Sequence, residues 1–112
     1  MILVAGGTGG LGRATSLAFI EQDSHVIVTY KKQEKFDSLK AAAGSNGALL
    51  EGCRIDVTEE AEVSRFVEGV VARLGRPDAL ENTVGGYAGG VGLWELDTKV
   101  FDQMLTLNLR SG

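Results

Sequence analysis

The stretch Ile2-Leu3-Val4-Ala5-Gly6-Gly7-Thr8-Gly9-Gly10-Leu11-Gly12-Arg13 is the one around which the chain is organised. Four apolar residues run directly into a glycine cluster, and apolar residues at helical spacing follow it. A buried strand that ends at glycines and continues into a helix forms an anion site. The glycines let a phosphate approach the backbone, and the helix directs free N–H groups and its positive dipole end toward that phosphate. The stretch therefore predicts a phosphate-binding loop.

The rest of the chain alternates strand patterns with helix patterns. The strand beginning at His25 is β-branched and mostly apolar, as expected for a strand buried on both faces. The helix that we expect to begin at Thr58, with Thr58 as its N-cap, has a continuous apolar stripe that ends at Gly75. Asp97 is the expected cap of the last helix. The predicted strands are 2–5, 25–30, 48–55 and 78–84, and the predicted helices are 13–22, 31–43, 59–74 and 98–109. Such alternation predicts an α/β fold with a parallel sheet.

The composition is typical of one globular domain. The chain has 112 residues, of which 44% are hydrophobic and 23% are charged, enough to bury a single core. A net charge of −4, with Lys31-Lys32 as the sole adjacent basic pair, argues against a nucleic-acid surface. The N-terminus lacks a signal-peptide pattern, and no apolar run approaches the ~20 residues of a membrane span. We therefore expect a cytoplasmic protein with no nucleic-acid or membrane partner.

Cysteine and histidine usage limits the chemistry further. Cys53 is the sole cysteine, which excludes an intramolecular disulfide and fits a reducing compartment. We interpret Cys53 as a small buried hydrophobe in a strand. His25 is the sole histidine, and with Cys53 it cannot furnish a zinc site of His/Cys type. We predict no metal site.

The glycines have the spacing G-x-x-x-G-x-G at Gly6, Gly10 and Gly12. Here the chain resembles the short-chain dehydrogenase/reductase family, whose opening motif is T-G-x-x-x-G-x-G, with Ala5 in the threonine position. The resemblance implies a Rossmann-like, doubly wound parallel sheet in which residues 1–112 form a partial dinucleotide-binding domain of about four strands and four helices. The residues that it implies at the cofactor pyrophosphate are Gly6, Thr8, Gly10, Leu11 and Gly12.

Two further matches lie at later strand ends. The family places an Asp and an apolar residue near the adenine ring after its third strand, where this chain has Asp56-Val57. The alternative is that Asp56 only helps to cap the helix near Thr58. The family's fourth strand reads D-x-L-V-N-N-A-G, and the segment 78–85 matches it at Asn82 and Gly85. The resemblance implies that Asn82 and Gly85 lie beside the nicotinamide ribose.

The same segment departs from the family pattern at Glu81 and Thr83. An unpaired carboxylate in a buried strand is costly, so Glu81 must be paired, protonated or near an edge. In the last helix, Leu107-Asn108-Leu109 resembles the family segment that carries an active-site asparagine, which makes Asn108 the candidate catalytic residue. The alternative for Asn108 is a solvent-facing polar residue of a helix.

The choice of cofactor is indicated by the end of the second strand. A carboxylate about 20 residues after the glycines normally binds the ribose 2′-OH of NAD, whereas a basic residue accommodates the 2′-phosphate of NADP. That position falls at Tyr30-Lys31-Lys32, which has no carboxylate. The pattern favours NADP(H) over NAD(H), with Lys31 or Lys32 holding the phosphate as a point charge. The alternative is that these lysines are ordinary solvated charge at a helix start.

The family's reaction is hydride transfer between a nicotinamide and a carbonyl or alcohol, and its catalytic serine and Tyr-x-x-x-Lys do not occur before Gly112. Tyr30 is followed four residues on by Glu34, and Tyr87 by Val91. We therefore expect no turnover by this chain alone. We also expect it to form a homo-oligomer or to pair with a chain that supplies the rest of the sheet, because its fourth strand would have an exposed edge. The alternatives are a non-catalytic nucleotide-binding module and a structural, dimerising fragment.

Overall fold

The computed structural model describes residues 1–112 and has the predicted alternation of strands and helices. The chain also has two short 3₁₀ segments, Gly44–Leu49 and Leu93–Glu95, and a π-helical turn, Thr106–Arg110. The strands are β1 (Ile2–Ala5), β2 (Val26–Tyr30), β3 (Leu50–Arg54) and β4 (Ala79–Asn82), and the helices are α1 (Gly10–Glu21), α2 (Gln33–Ala43), α3 (Glu60–Leu74) and α4 (Thr98–Leu105).

All four strands lie parallel in one sheet with the order β3-β2-β1-β4. The chain moves outward from β1 to β3, and then crosses back so that β4 pairs with β1 on its other side. The strand order thus reverses between β1 and β4. In open α/β sheets, ligands bind at the carboxyl ends of the strands at this point of reversal. The topology confirms the predicted Rossmann-like fold and places the glycine loop where a ligand is expected.

The core consists of two layers on opposite faces of the sheet. All five residues of β2 are buried, which confirms that this strand is covered on both faces. The larger cluster packs β2 against α1 and α2 and includes Val28, Ile20 and Leu39. The smaller cluster, Leu3, Ile27 and Val70, packs the other face against α3. Burial of β2 therefore fixes the strand end that carries Tyr30 and Lys31.

The β4 edge and α4 leave apolar side chains uncovered. Leu80, Phe101 and Leu109 are 66%, 52% and 71% exposed. Glu81 is also exposed on this edge strand, so of the three alternatives given for its carboxylate the structure shows the position near an edge. The apolar stripe of α3 is present, but Val70 is its sole buried residue, because only part of the stripe reaches the sheet.

Three local predictions need correction. The N-cap of α3 is Glu59 and not Thr58, because the Thr58 amide and hydroxyl donate instead to Asp56 Oδ1 at 3.0 and 2.6 Å. Cys53 is half-buried and not fully buried, since β3 is an edge strand, although burial still raises the pKa of its thiol. The third strand begins at Leu50 and not at residue 48, because Gly44–Leu49 form a 3₁₀ segment. Asp97 caps α4 as predicted, with its Oδ1 accepting from the Lys99 amide at 2.8 Å.

Candidate functional site

The glycine loop makes a tight turn between β1 and α1. Gly6 has φ +75°, a left-handed conformation that side-chain-bearing residues rarely adopt. Gly12 faces back onto this turn, where a Cβ atom would overlap the Gly6 carbonyl oxygen and lie 2.6 Å from Thr83 Oγ1. Two of the three glycines of the motif are therefore required by backbone shape and by close packing of helix on strand.

The start of α1 faces open space. Its N-cap is Gly9, and no side chain caps the first turn. The amides of Gly10, Leu11 and Gly12 donate to no carbonyl or side chain, and a Cβ atom on Gly10 would meet no atom within 4 Å. The first N–H groups of a helix need an external acceptor, and the helix dipole favours a negatively charged one. This turn can accept a phosphate without displacing any side chain.

Two threonines hold the loop in place. The Gly6 amide donates to Thr29 Oγ1 at 3.0 Å, which ties the loop to β2. The Thr83 hydroxyl donates to the Ala5 carbonyl oxygen at 2.7 Å and lies 3.2 Å from the Gly6 carbonyl oxygen, which ties the loop to the end of β4. Neither threonine is among the site residues predicted from sequence. The departure of Thr83 from the family pattern was the one available signal.

A cleft of about 260 Å³ opens along the carboxyl ends of the strands beside this loop. Of the predicted site residues, its walls contain Gly6, Thr8, Tyr30, Lys31, Lys32, Asp56, Val57 and Gly85. They do not contain Gly10, Leu11, Gly12, Asn82 or Asn108. Lys35 on α2 lines the cleft and was not predicted, because the sequence shows it only as one polar residue of the helix predicted at 31–43. The cleft thus combines a glycine loop with three lysines.

Asp56 is the most extensively bonded side chain of the cleft. Its Oδ1 accepts from the amide and hydroxyl of Thr58, and its Oδ2 lies 2.9 Å from Lys31 Nζ. These partners, above all the Thr58 hydroxyl, lower the pKa of Asp56 to about 2. The Asp56 amide in turn donates to Glu62 Oε2 at 2.8 Å. Asp56 is therefore a fixed anion in the turn that precedes α3, and its side chain does not cap the helix itself.

The end of β2 presents one buried and two exposed side chains. The Tyr30 ring stacks on Phe36, with centroids 4.6 Å apart, and its hydroxyl donates to Gln33 Oε1 at 2.8 Å. Lys31 and Lys32 are exposed, and Lys32 is the N-cap residue of α2. The aromatic stack anchors the backbone from which both lysines extend. Tyr30 contributes to the cleft as part of its wall.

Asn108 joins α4 to the glycine-rich segment after β4. Its Oδ1 accepts from the Gly86 amide at 2.9 Å, and its Nδ2 donates to the carbonyl oxygens of Gly86 at 3.1 Å and Met104 at 2.9 Å. A Cβ atom on Gly85 would lie 2.9 Å from Asn108 Oδ1. Asn82 Oδ1 accepts from the Val84 amide at 3.1 Å. Both asparagines therefore shape the backbone around Gly85.

The chain matches a known family over its whole length. The sequence profile of the family described as short chain dehydrogenase matches residues 1–112. The chain belongs to the short-chain dehydrogenase family. It is 32% identical over 108 residues to an A-factor type gamma-butyrolactone 1'-reductase of Streptomyces virginiae. It is 28% identical over 111 residues to an NADPH-dependent pterin aldehyde reductase of Arabidopsis thaliana.

This short-chain dehydrogenase chain spans about two-fifths of the length of the curated relatives it matches. The two alignments cover 96% and 97% of this chain but 42% and 45% of the relatives. Among solved structures, ElxO with NADP bound superposes with a TM-score of 0.91 at 29% identity, over 98% of this chain and 44% of that one. No helix is both long enough and apolar enough to cross a membrane.

Proposed function

We propose that this chain is the dinucleotide-binding portion of an oxidoreductase of the short-chain dehydrogenase family and that its dinucleotide is NADP(H). The observation that carries the proposal is the cleft itself. It is lined by Gly9, the residue before a helix start with three free amides, and by three lysines, and it lies at the point where the strand order reverses. A pyrophosphate and a 2′-phosphate are the two anions that such a cleft would separate.

The chain's own residues divide the binding of this cofactor between them. The amides of Gly10, Leu11 and Gly12 would hold the pyrophosphate, with Gly6 and Thr8 forming the turn beside it. When bound, the nicotinamide would supply or accept a hydride, which in the complete protein would pass to a carbonyl or from an alcohol.

The adenosine end would lie between β2 and the turn before α3. Asp56 and Val57 would contact the adenine, and Lys31, Lys32 and Lys35 would face the 2′-phosphate. Two observations support NADP(H) over NAD(H). Residues 30–32, at the end of β2, include no carboxylate. The pterin aldehyde reductase of Arabidopsis thaliana is NADPH-dependent, and ElxO binds NADP.

The nicotinamide end would lie against the segment after β4. Asn82 and Gly85 would border the nicotinamide ribose. Asn108 would hold Gly86, and with it this wall of the active site, in position. Carbonyl reduction is the activity that we propose for the complete protein.

Calorimetric titration of the purified chain with NADPH and NADH tests the proposal. We expect both to bind, with NADPH about tenfold tighter, since a 2′-phosphate gains charge-assisted contacts to lysine. Lys35→Met should reduce that preference, whereas Lys99→Met on α4, outside the cleft, should not. If neither NADPH nor NADH binds, the proposal is rejected. If the complete protein binds a dinucleotide but reduces no carbonyl, the result would favour a non-catalytic nucleotide-binding module.

We also propose that the chain associates through β4, with a second copy or with a chain that extends the sheet. The outer edge of β4 has no strand partner, and exposed Leu80 and Phe101 lie on this strand and on α4. Apolar strand edges pair readily with other chains. Analytical ultracentrifugation at micromolar concentration should show dimers or larger species, and a monodisperse monomer would overturn the proposal.

A further inference from the structure

The three lysines of the cleft are not equivalent. Lys31 Nζ lies 2.9 Å from Asp56 Oδ2, whereas neither Lys32 nor Lys35 takes part in an ion pair. Lys31 follows β2 and Asp56 lies in the turn after β3, and both residues line the cleft. One of the three lysines expected to face the 2′-phosphate is therefore already paired with a carboxylate of the protein.

The two members of this pair differ in how firmly they are held. Asp56 is anchored by the amide and hydroxyl of Thr58 at its Oδ1, and by Glu62 at its amide. The Lys31 side chain is 71% exposed and has Asp56 as its sole hydrogen-bond partner. If the pair separates, Lys31 moves and Asp56 stays. The carboxylate remains beside the cleft as a fixed negative charge.

We infer that Asp56 is a specificity-determining residue for the 2′ position of the dinucleotide, because it competes with a 2′-phosphate for Lys31. This inference rests on the proposed function. A ligand with a 2′-hydroxyl leaves the Lys31–Asp56 pair in place. A ligand with a 2′-phosphate must draw Lys31 from Asp56 and tolerate the Asp56 charge nearby. Asp56 thereby lowers the preference for NADP(H) below the value that three free lysines would produce and keeps NAD(H) binding competitive.

The test compares 2′,5′-ADP with 5′-AMP, because the two ligands share every group except the 2′-phosphate. The ratio of their dissociation constants cancels contacts to the adenine, the ribose and the 5′-phosphate, including those that Asp56 itself makes. Asp56→Asn keeps an oxygen acceptor for Thr58 and removes only the charge. We expect this variant to shift the ratio about fivefold further toward 2′,5′-ADP, the upper range for an exposed ion pair.

Glu68→Gln is the matched control, since it removes one negative charge from an exposed position of α3 that makes no hydrogen bond or ion pair. It should leave the ratio unchanged. In a Lys31→Ala background, Asp56→Asn should have a smaller effect on the ratio than in the unaltered chain, because the competition for Lys31 is gone.

A second measurement uses the unaltered protein, so the inference is tested even if Asp56→Asn does not fold. The ¹³C chemical shift of the Asp56 carboxyl carbon should change more on addition of 2′,5′-ADP than on addition of 5′-AMP. Equal responses, or an unchanged or lower affinity ratio in folded Asp56→Asn, would overturn the inference while leaving the proposed function intact. Failure of the unaltered chain to bind either ligand would instead refute the proposed function.

Discussion

Replacing Gly12 by alanine tests whether the glycine loop depends on close packing of α1 against β1 and β4. The added Cβ atom would overlap the Gly6 carbonyl oxygen and lie 2.6 Å from Thr83 Oγ1. A shift of the Gly6 carbonyl oxygen would break a hydrogen bond, because this oxygen accepts from the Gly9 amide at 3.0 Å. The helix start would have to move away from the loop, carrying its free amides with it.

The magnitude follows from two opposing effects. Overpacking a close contact costs about 1–3 kcal/mol, and a backbone atom that must move places Gly12→Ala near the upper end. Alanine gains about 1 kcal/mol over glycine within a helix. We therefore expect a net loss of about 2 kcal/mol in the free energy of unfolding, equivalent to about 10 °C in Tm for a chain of this size.

The assay is urea unfolding followed by far-ultraviolet circular dichroism. Trp94 fluorescence is a poor probe because that side chain is 88% exposed in the folded chain. Gly69→Ala is the matched control. Gly69 lies on α3, and a Cβ atom there would meet no atom within 4 Å. It should stabilise the chain by up to about 1 kcal/mol. A Gly12→Ala variant as stable as the unaltered chain, with unchanged NADPH affinity, would refute the packing argument.

Two other predictions concern the bonds that join separate elements. Thr83→Val should lose about 1 kcal/mol in urea unfolding because the Ala5 carbonyl oxygen loses the hydroxyl donor and keeps only the Thr83 amide. Thr83→Ser keeps a hydroxyl and should retain most of this free energy of unfolding. Equal losses in the two variants would contradict the role of the hydroxyl. Glu51 accepts from Arg73 at 2.6 Å and lies 2.9 Å from His25, and Arg73 chiefly holds the pKa of its carboxyl below the ordinary value. The carboxylate therefore stabilises the fold above that ordinary value, and this contribution is lost as the pH falls through the lowered pKa. Unfolding at pH 6 should show Glu51→Gln about 0.5 kcal/mol less stable than the unaltered chain, since solvent screens so exposed a pair. The gap should narrow as the pH falls toward 3, and a gap that widens there would refute the assignment.

Much of the fold was predictable because its signals are local. The glycine spacing, the β-branched and mostly apolar β2 and the amphipathic pattern of α3 each report on residues that are close in sequence. Alternating strands and helices permit few parallel topologies, since crossovers are right-handed. The family resemblance that the short motifs indicated is confirmed over residues 1–112.

The contacts that complete the cleft required the tertiary structure. Thr83 and Ala5 lie 78 residues apart, and they meet because β4 pairs with β1 and not with β3. The same strand order brings Lys31 to Asp56. Thr58, the expected helix cap, donates to the other oxygen of that carboxylate. Periodicity determines which face of each element is buried, because that depends on neighbours along the chain. It does not determine which strand ends are adjacent. At this site, the adjacency of β2 and β3 pairs Lys31 with Asp56, and the adjacency of β1 and β4 allows Thr83 to hold the glycine loop.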